Sequence, residues 1–350
     1  MSFKIVVFFI LLVTITSQAK AQSTGVDAAI SLLQQSIKEK GIDSLPFVNA
    51  LDLLSTTTLT DADILKLEKQ AEQLKKGNDV GPVFLVKYMI TRNLNRTNQP
   101  KAIAYAKAIV RELEQISLPI ASRLRWQILS GLRVPYRESG QLAAGIQYYT
   151  EKLNEAKRVQ DSTGISLCYY VLGGFYRSIG LYEPALYHMK KSVSYIDTFQ
   201  TTYFRYYVIN AEFGVARWIN NAGLISGFYL EMDEPEKAEI QGMQVLKVAM
   251  HYNQTRGESL SESRVNATFT ARHVVEARLK AGKLDSVDYY LEITGRSLSE
   301  ERTRSDRSLL PYYLQLKARY LIQKGEYDKA DSLLKESWKL VRQYQVGSNQ

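Results

Sequence analysis

The chain has 350 residues, of which 45% are hydrophobic and 23% charged, and its formal net charge at pH 7 is +9. Acidic and basic residues are interleaved along most of the sequence, which is typical of solvated helix faces and disfavours a nucleic-acid-binding protein. The single cysteine, Cys168, excludes an intramolecular disulfide and a thiolate metal cluster, and its apolar surroundings predict a buried side chain.

Residues 1–21 have the pattern of a secretory leader. Lys4 supplies a positive charge, an apolar run follows at 5–15, and Ala19 and Ala21 form the small-x-small motif that signal peptidase accepts. The apolar run is shorter than the roughly 20 residues that span a bilayer. We therefore expect cleavage after Ala21, export to the periplasm or the medium, and no integral membrane span once the leader is removed. An uncleaved N-terminal anchor is the alternative.

Beyond the leader, apolar residues recur with the 3.6-residue period of amphipathic helices, and the whole chain holds only eight prolines. Thr60 starts one of these helices, since Asp63 three residues later is placed to complete a capping box. We assign 22–125 to an N-terminal helical region, made of degenerate repeats or a cap. In chain order, its predicted helices are 28–37, 60–74, 80–94 and 100–116.

A helical hairpin recurs in the rest of the chain, and its best copy lies between Tyr169 and Ala185. Small residues at fixed positions let two helices approach closely, and large apolar residues fill the gaps between them. In the best copy these positions are Tyr169, Leu172, Gly173, Tyr176, Gly180, Tyr182, Pro184 and Ala185. Aligned on the turn residue, the chain gives five hairpins, with turns at Gly140, Gly180, Asp233, Gly282 and Gly325.

This pattern resembles the tetratricopeptide (TPR) repeat. The resemblance implies an all-α superhelix of antiparallel helix pairs, with repeats over 126–344 and a C-terminal tail at 345–350. A leader followed by such repeats is similar to the exported TPR region of Bacteroidetes-type signal-transduction proteins. In those proteins, the repeats precede a membrane helix and a kinase or regulator module.

The residues give little support for catalysis. The histidines are His188, His251 and His273, and no two of them have the spacing of metal ligands. The chain contains neither a Gly-x-x-x-x-Gly-Lys-Ser/Thr phosphate loop nor a Gly-x-Ser-x-Gly nucleophile elbow. We therefore predict no enzyme, no cofactor site and no metal site.

The resemblance assigns partner binding to the concave face, which the first helix of each pair lines. Recurrent arginine and tyrosine suit an extended, partly acidic peptide, because guanidinium groups pair with carboxylates and aromatic rings add apolar contact. An ordinary solvated helix face is the alternative. The candidate binding residues are Gln127, Arg137, Tyr170, Arg177, Arg272, Tyr312, Gln315 and Arg319, with Ser130, Gly174, Phe269 and Glu276 at further inward positions.

The function expected from these features is an exported scaffold that binds a protein or peptide, as the sensory part of a signal-transduction system. One alternative is an outer-membrane-associated carbohydrate-capture protein. Another is the N-terminal part of a longer sensor kinase or transcriptional regulator. Neither the identity of the partner nor the oligomeric state follows from the sequence.

Overall fold

The computed structural model describes residues 25–37, 45–74, 80–117, 119–196, 214–255, 264–296 and 309–348. In these ranges, every regular element is an α-helix, and consecutive helices pack against each other. The prediction of an all-α fold built from paired helices is confirmed. The predicted leader lies outside the described residues.

The chain divides into two units, and the division falls within one helix, after Glu155. The boundary predicted between 125 and 126 falls inside another helix, α6 (Pro119–Gly131). The helices of unit 1 are α1 (25–37), α2 (Leu45–Thr56), α3 (Asp61–Glu72), α4 (Gly81–Thr97), α5 (Gln99–Glu114), α6 (Pro119–Gly131), α7 (Arg133–Glu138) and the first part of α8 (Leu142–Arg158).

Two local features of unit 1 bear on the sequence predictions. The capping box of α3 is confirmed: Thr60 Oγ1 accepts the Asp63 N–H at 3.2 Å, and the Asp63 carboxylate accepts the Thr60 N–H at 3.0 Å. Helix α2 was not predicted. Its buried residues include Phe47, Leu51 and Leu54, and Asp52 is its only charged residue. With so few polar residues, the segment shows no clear amphipathic pattern in the sequence.

The first helix of the hairpin that turns at Gly140 is broken into α6 and α7, and proline explains the break. In a continuous helix, the carbonyl of Gly131 would accept the N–H of residue 135, but that residue is Pro135 and has no N–H. Asn95 of α4 supplies the missing donor, since its Nδ2 lies 3.3 Å from the Gly131 oxygen. The break is therefore compensated by a side chain from the preceding hairpin.

Unit 2 contains the remainder of α8 and four helix pairs. A single buried core includes residues from the five consecutive helices α11 to α15. One member from each helix, in that order, is Ala222, Val245, Val274, Leu291 and Leu316. The pairs are α9 (Ser162–Ser178) with α10 (Tyr182–Ser194), α11 (Val215–Glu231) with α12 (Pro235–Thr255), α13 (Arg264–Lys280) with α14 (Val287–Arg296), and α15 (Leu309–Gln323) with α16 (Tyr327–Ser348). Helix α16 continues to Ser348, into the segment predicted as a tail.

The five predicted turn residues all have left-handed backbones. The φ angles are 71° at Gly140, 77° at Gly180, 57° at Asp233, 68° at Gly282 and 78° at Gly325. Glycine adopts this conformation without steric cost, and aspartate is among the few other residues that tolerate it. The positions of the five turns predicted from the sequence are therefore confirmed.

Close packing of α9 against α10 depends on Gly173. A Cβ atom at this position would lie 3.2 Å from the carbonyl oxygen of Ala185 and 3.4 Å from the backbone nitrogen of Met189. These are backbone atoms, so the neighbouring helix cannot yield by a side-chain rotation. Cys168, on the same helix, is fully buried, as its sequence surroundings predicted.

Candidate functional site

Six of the predicted binding residues lie on the first helices of the pairs in unit 2, and four of them, Arg177, Arg272, Tyr312 and Arg319, take part in a series of arginine contacts. We call this set the arginine strip. It runs from α9 through α11 and α13 to α15. Its members are Arg177, Glu231, Arg272, Glu276, Tyr312 and Arg319.

At the α9 end of the strip, Arg177 is paired with Glu231 of α11. Its Nε lies 3.0 Å from each carboxylate oxygen, and Nη2 donates to Oε1 as well. The guanidinium also lies over the Phe228 ring, 5.4 Å from the centroid. Both charged side chains are partly exposed, so this pair orients the guanidinium more than it stabilises the fold.

Arg272 of α13 lies in the middle of the strip and stacks on aromatic rings. Its guanidinium carbon is 4.1 Å from the centroid of Phe269 and 4.6 Å from that of Tyr312. Within the part of the chain that the structure describes, no carboxylate oxygen lies within 4.0 Å of its nitrogens, and its buried Nε has no hydrogen-bond partner. Arg272 is therefore a cation held by rings rather than by an acid.

The environment of Arg272 opposes its charge. Burial lowers the pKa of this guanidinium; Tyr312 and Glu276 partly oppose this shift, and the positive charge of Arg177 adds a smaller lowering effect. Arginine nevertheless keeps its proton in proteins, so Arg272 remains a partly desolvated cation without a carboxylate bound to it. An anion that approaches this side chain would offset the cost of this desolvation.

His273 fixes the orientation of Arg272. The ring Nδ1 lies 3.2 Å from the carbonyl oxygen of Gly223, which can only accept, so Nδ1 carries the proton. The lone pair of Nε2 then accepts from Nη2 of Arg272 at 3.3 Å. Burial, followed by the charge of Arg272, lowers the pKa of His273 to about 3, so the ring is neutral at physiological pH.

The close approach of α11 and α13 explains why His273 is buried. A Cβ atom on Gly227 would lie 3.0 Å from Cε1 of the His273 ring, so the imidazole packs directly on the α11 backbone. A larger residue at 227 would displace the ring that orients Arg272. The small residue and the histidine therefore form one packing unit.

Tyr312 and Arg319 of α15 share the carboxylate of Glu276. The Tyr312 hydroxyl donates to Oε2 at 2.5 Å, and Arg319 Nη1 lies 3.9 Å from Oε1. Burial raises the pKa of Tyr312, and its bond to Glu276 raises it further, so the hydroxyl stays protonated and remains a donor. The Tyr312 ring is thereby held against Arg272.

The other predicted residues lie elsewhere. In unit 1, Gln127 donates to the Tyr88 hydroxyl at 3.2 Å, and exposed Arg137 pairs with its neighbour Glu138. In unit 2, Gln315 contacts Ser337 of α16 at 3.2 Å, so it faces its own hairpin. Half-buried Tyr170 packs against the cluster that contains Met189 and Ile225.

Sequence reasoning missed three residues that shape the strip. Glu231, Phe228 and His273 have no special spacing relative to the arginines, and Glu231 is 54 residues from Arg177. In the described ranges, no group of three His, Cys, Asp or Glu side chains is arranged to hold a metal ion. None of the described helices combines the length and the apolar character needed to cross a membrane.

Comparison with known proteins identifies the fold alone. The crystal structure of BtubC (BKLC) from P. vanneervenii is similar to this chain, with a TM-score of 0.54 and 14% sequence identity. The match covers 71% of this chain and 92% of that chain. No family model matches the sequence, and no curated protein matches it. At this identity, the similarity supports the helical architecture and carries no partner or activity.

Proposed function

We propose that the chain is an exported, tetratricopeptide-like scaffold whose unit 2 binds an extended acidic peptide of a protein partner along the arginine strip. The leader pattern supports export, and the left-handed turn residues support the repeat assignment. A sensory role in signal transduction is consistent with the resemblance of the sequence to exported regions of signalling proteins. No catalytic step is part of this proposal.

The observation that carries the proposal is the state of Arg272. This guanidinium is stacked on Phe269 and Tyr312, is oriented by His273, and has no carboxylate partner among the described residues. Stacking fixes the orientation of the planar guanidinium before a ligand binds. Less conformational entropy is therefore lost when the guanidinium pairs with a carboxylate. The neighbouring rings supply apolar contact for the residue beside the acid.

The charges of the strip favour an acidic ligand. Three arginines face two glutamates, so the strip carries a net charge of +1. Glu231 and Glu276 pair with Arg177 and Arg319 at the two ends, and these partly exposed pairs can exchange their glutamate for a ligand carboxylate at small cost. The ligand would therefore carry one central acid opposite Arg272 and further acids spaced toward the ends.

A fluorescence anisotropy titration tests this proposal. The probes are fluorescein-labelled peptides in which glutamate and aromatic residues alternate, together with peptides in which every glutamate is replaced by glutamine. We expect the acidic peptides to bind and their affinity to fall with added salt, since surface charges contribute. We expect Arg272→Met to weaken binding at least about tenfold, the loss typical of an uncompensated charged contact.

Two controls make the test specific. Lys317→Met removes an exposed cation from α15 outside the strip and should leave the affinity unchanged. Arg272→Lys keeps the charge but removes the planar fork, so an intermediate loss is expected. Equal binding of the glutamine peptides, equal binding by Arg272→Met, or a preference for neutral oligosaccharides over every acidic peptide would overturn the proposal.

A further inference from the structure

Helix α16 exposes two large apolar side chains on one face. Leu334 is 40% exposed and Trp338 is 59% exposed. Because they are four residues apart in a helix, the two side chains are neighbours on its surface. Tyr327, which is also exposed, lies on the same face one heptad before Leu334. Exposed apolar surface of this kind is characteristic of interaction sites.

The hairpin register identifies what normally covers these positions. Leu334 and Trp338 lie nine and thirteen residues after the turn residue Gly325. The same two spacings in the other hairpins of unit 2 give Met189 and Val193 on α10, Gly242 and Leu246 on α12, and Leu291 and Gly295 on α14.

Each of these equivalent pairs contacts the first helix of the next hairpin. Met189 is 2% exposed and belongs to a cluster with Phe228 of α11. A Cβ atom on Gly242 would lie 2.6 Å from Cγ2 of Val274 on α13.

The α14 pair follows the same rule. A Cβ atom on Gly295 would lie 2.6 Å from the hydroxyl of Tyr313 on α15. The positions occupied by Leu334 and Trp338 are thus docking positions for a helix. In the described part of the chain, no helix covers them on α16.

Charges on the same face of α16 indicate which helix fits. Asp331 lies one turn before Leu334 and pairs with Lys335 of its own helix at 2.5 Å. Arg342 lies one turn after Trp338 and stacks on its ring, 5.1 Å from the centroid, so the apolar pair has an acid at one end and a base at the other. An antiparallel copy of α16 would place Asp331 of each helix beside Arg342 of the other. A parallel copy would place like charges together. The face is therefore complementary to itself.

We propose that two copies of this chain form a dimer through α16, with Leu334 and Trp338 at the centre of an antiparallel helix pair. The interface is isologous, as two-fold dimers require. A single helix pair buries area at the low end of specific interfaces, so the dimer dissociates on dilution. The face lies on α16, whereas the arginine strip lies on first helices, so this inference is independent of the proposed peptide binding.

Sedimentation velocity on the purified full chain tests the dimer, over protein concentrations from about 1 to 100 µM, which bracket a micromolar dissociation constant. We expect the mass to double as the concentration rises and the tryptophan fluorescence of the chain to shift to the blue as Trp338 is covered. Trp338→Glu should hold the chain monomeric. Ile240→Glu, which changes an equally exposed apolar residue on α12, should leave dimerisation unchanged.

Charge exchange tests the antiparallel arrangement. Asp331→Arg should abolish the dimer through repulsion from Arg342, and Asp331→Arg combined with Arg342→Asp should restore it. Circular dichroism should show the same helix content for every variant, because the altered side chains are exposed. The proposal is overturned by a monomer throughout the concentration range, or by a dimer that Trp338→Glu leaves intact.

Discussion

Arg272 donates a hydrogen bond from Nη2 to Nε2 of the adjacent residue, His273, across 3.3 Å. This bond requires a neutral ring, because Nδ1 already donates to Gly223 and only Nε2 has a lone pair to offer. Protonation of His273 would remove the acceptor and place two positive charges side by side. The orientation of the central arginine therefore depends on the protonation state of a buried histidine.

We expect the free energy of unfolding to decrease as the pH falls below about 6.5. Burial and the charge of Arg272 lower the pKa of His273 to about 3, whereas the unfolded side chain titrates near its ordinary value. Between these values, the unfolded chain binds a proton that the folded chain does not. The His273 contribution is therefore complete above pH 6.5 and is lost toward pH 3, by up to about 1.4 kcal/mol per pH unit.

Urea unfolding at about pH 7.5 and pH 5 measures this loss, with His273→Gln as the comparison. Glutamine keeps a donor and an acceptor but does not titrate, so the stability difference between the two pH values should shrink. An unchanged difference in the variant would assign the pH dependence to other groups.

Gly173→Leu should destabilise unit 2 by about 1–3 kcal/mol, because the added side chain meets the α10 backbone at Ala185 and Met189. Thermal unfolding followed by circular dichroism gives the change in the midpoint. Lys317→Leu adds the same side chain at an exposed helix position and should leave the midpoint nearly unchanged. A Gly173→Leu protein with the wild-type midpoint would contradict the packing described for α9 and α10.

Asn95→Ala should destabilise unit 1 by about 1 kcal/mol, since the Gly131 carbonyl loses its donor. In a Pro135→Ala background the loss should be smaller, because alanine at this position offers the backbone N–H that proline lacks. A double-mutant cycle from urea unfolding measures this coupling. Additive effects of the two substitutions would show that Asn95 does not compensate for the proline.

Thr60→Ala should lower the stability of unit 1 by about 1 kcal/mol, as the loss of a helix cap does. Thr60→Ser keeps the hydroxyl acceptor and should preserve most of the stability. Chemical unfolding curves of the three proteins provide the measurement, and equal losses for alanine and serine would exclude the capping interaction as the cause.

Predictions from the sequence succeeded where the residue type determines the local backbone conformation. A left-handed turn at Gly180 and a capping box at Thr60 are local properties, so a short segment is enough to recognise them. The register of five hairpins follows from such turns. Helix α2 was missed because its few polar residues leave no clear helical period.

The candidate site was predictable only in part. The register placed Arg272 and Tyr312 on first helices, and the structure brings them together. The pairing of Arg177 with Glu231 depends on the relative shift of α9 and α11 along their axes. That shift is set by tertiary packing and is not visible in either segment of the sequence. Gln315 contacts Ser337 of its own hairpin, which the register did not indicate either.

Because Cys168 is buried, its reactivity reports how often the surrounding structure opens. As the single thiol in the sequence, it can react with a thiol reagent in native buffer only when α9 transiently separates from its neighbours. The rate of that reaction, compared with the rate for the unfolded chain, gives the free energy of local opening. The same measurement with and without peptide would show whether a ligand bound to Arg177 and Arg272 tightens the packing around the thiol.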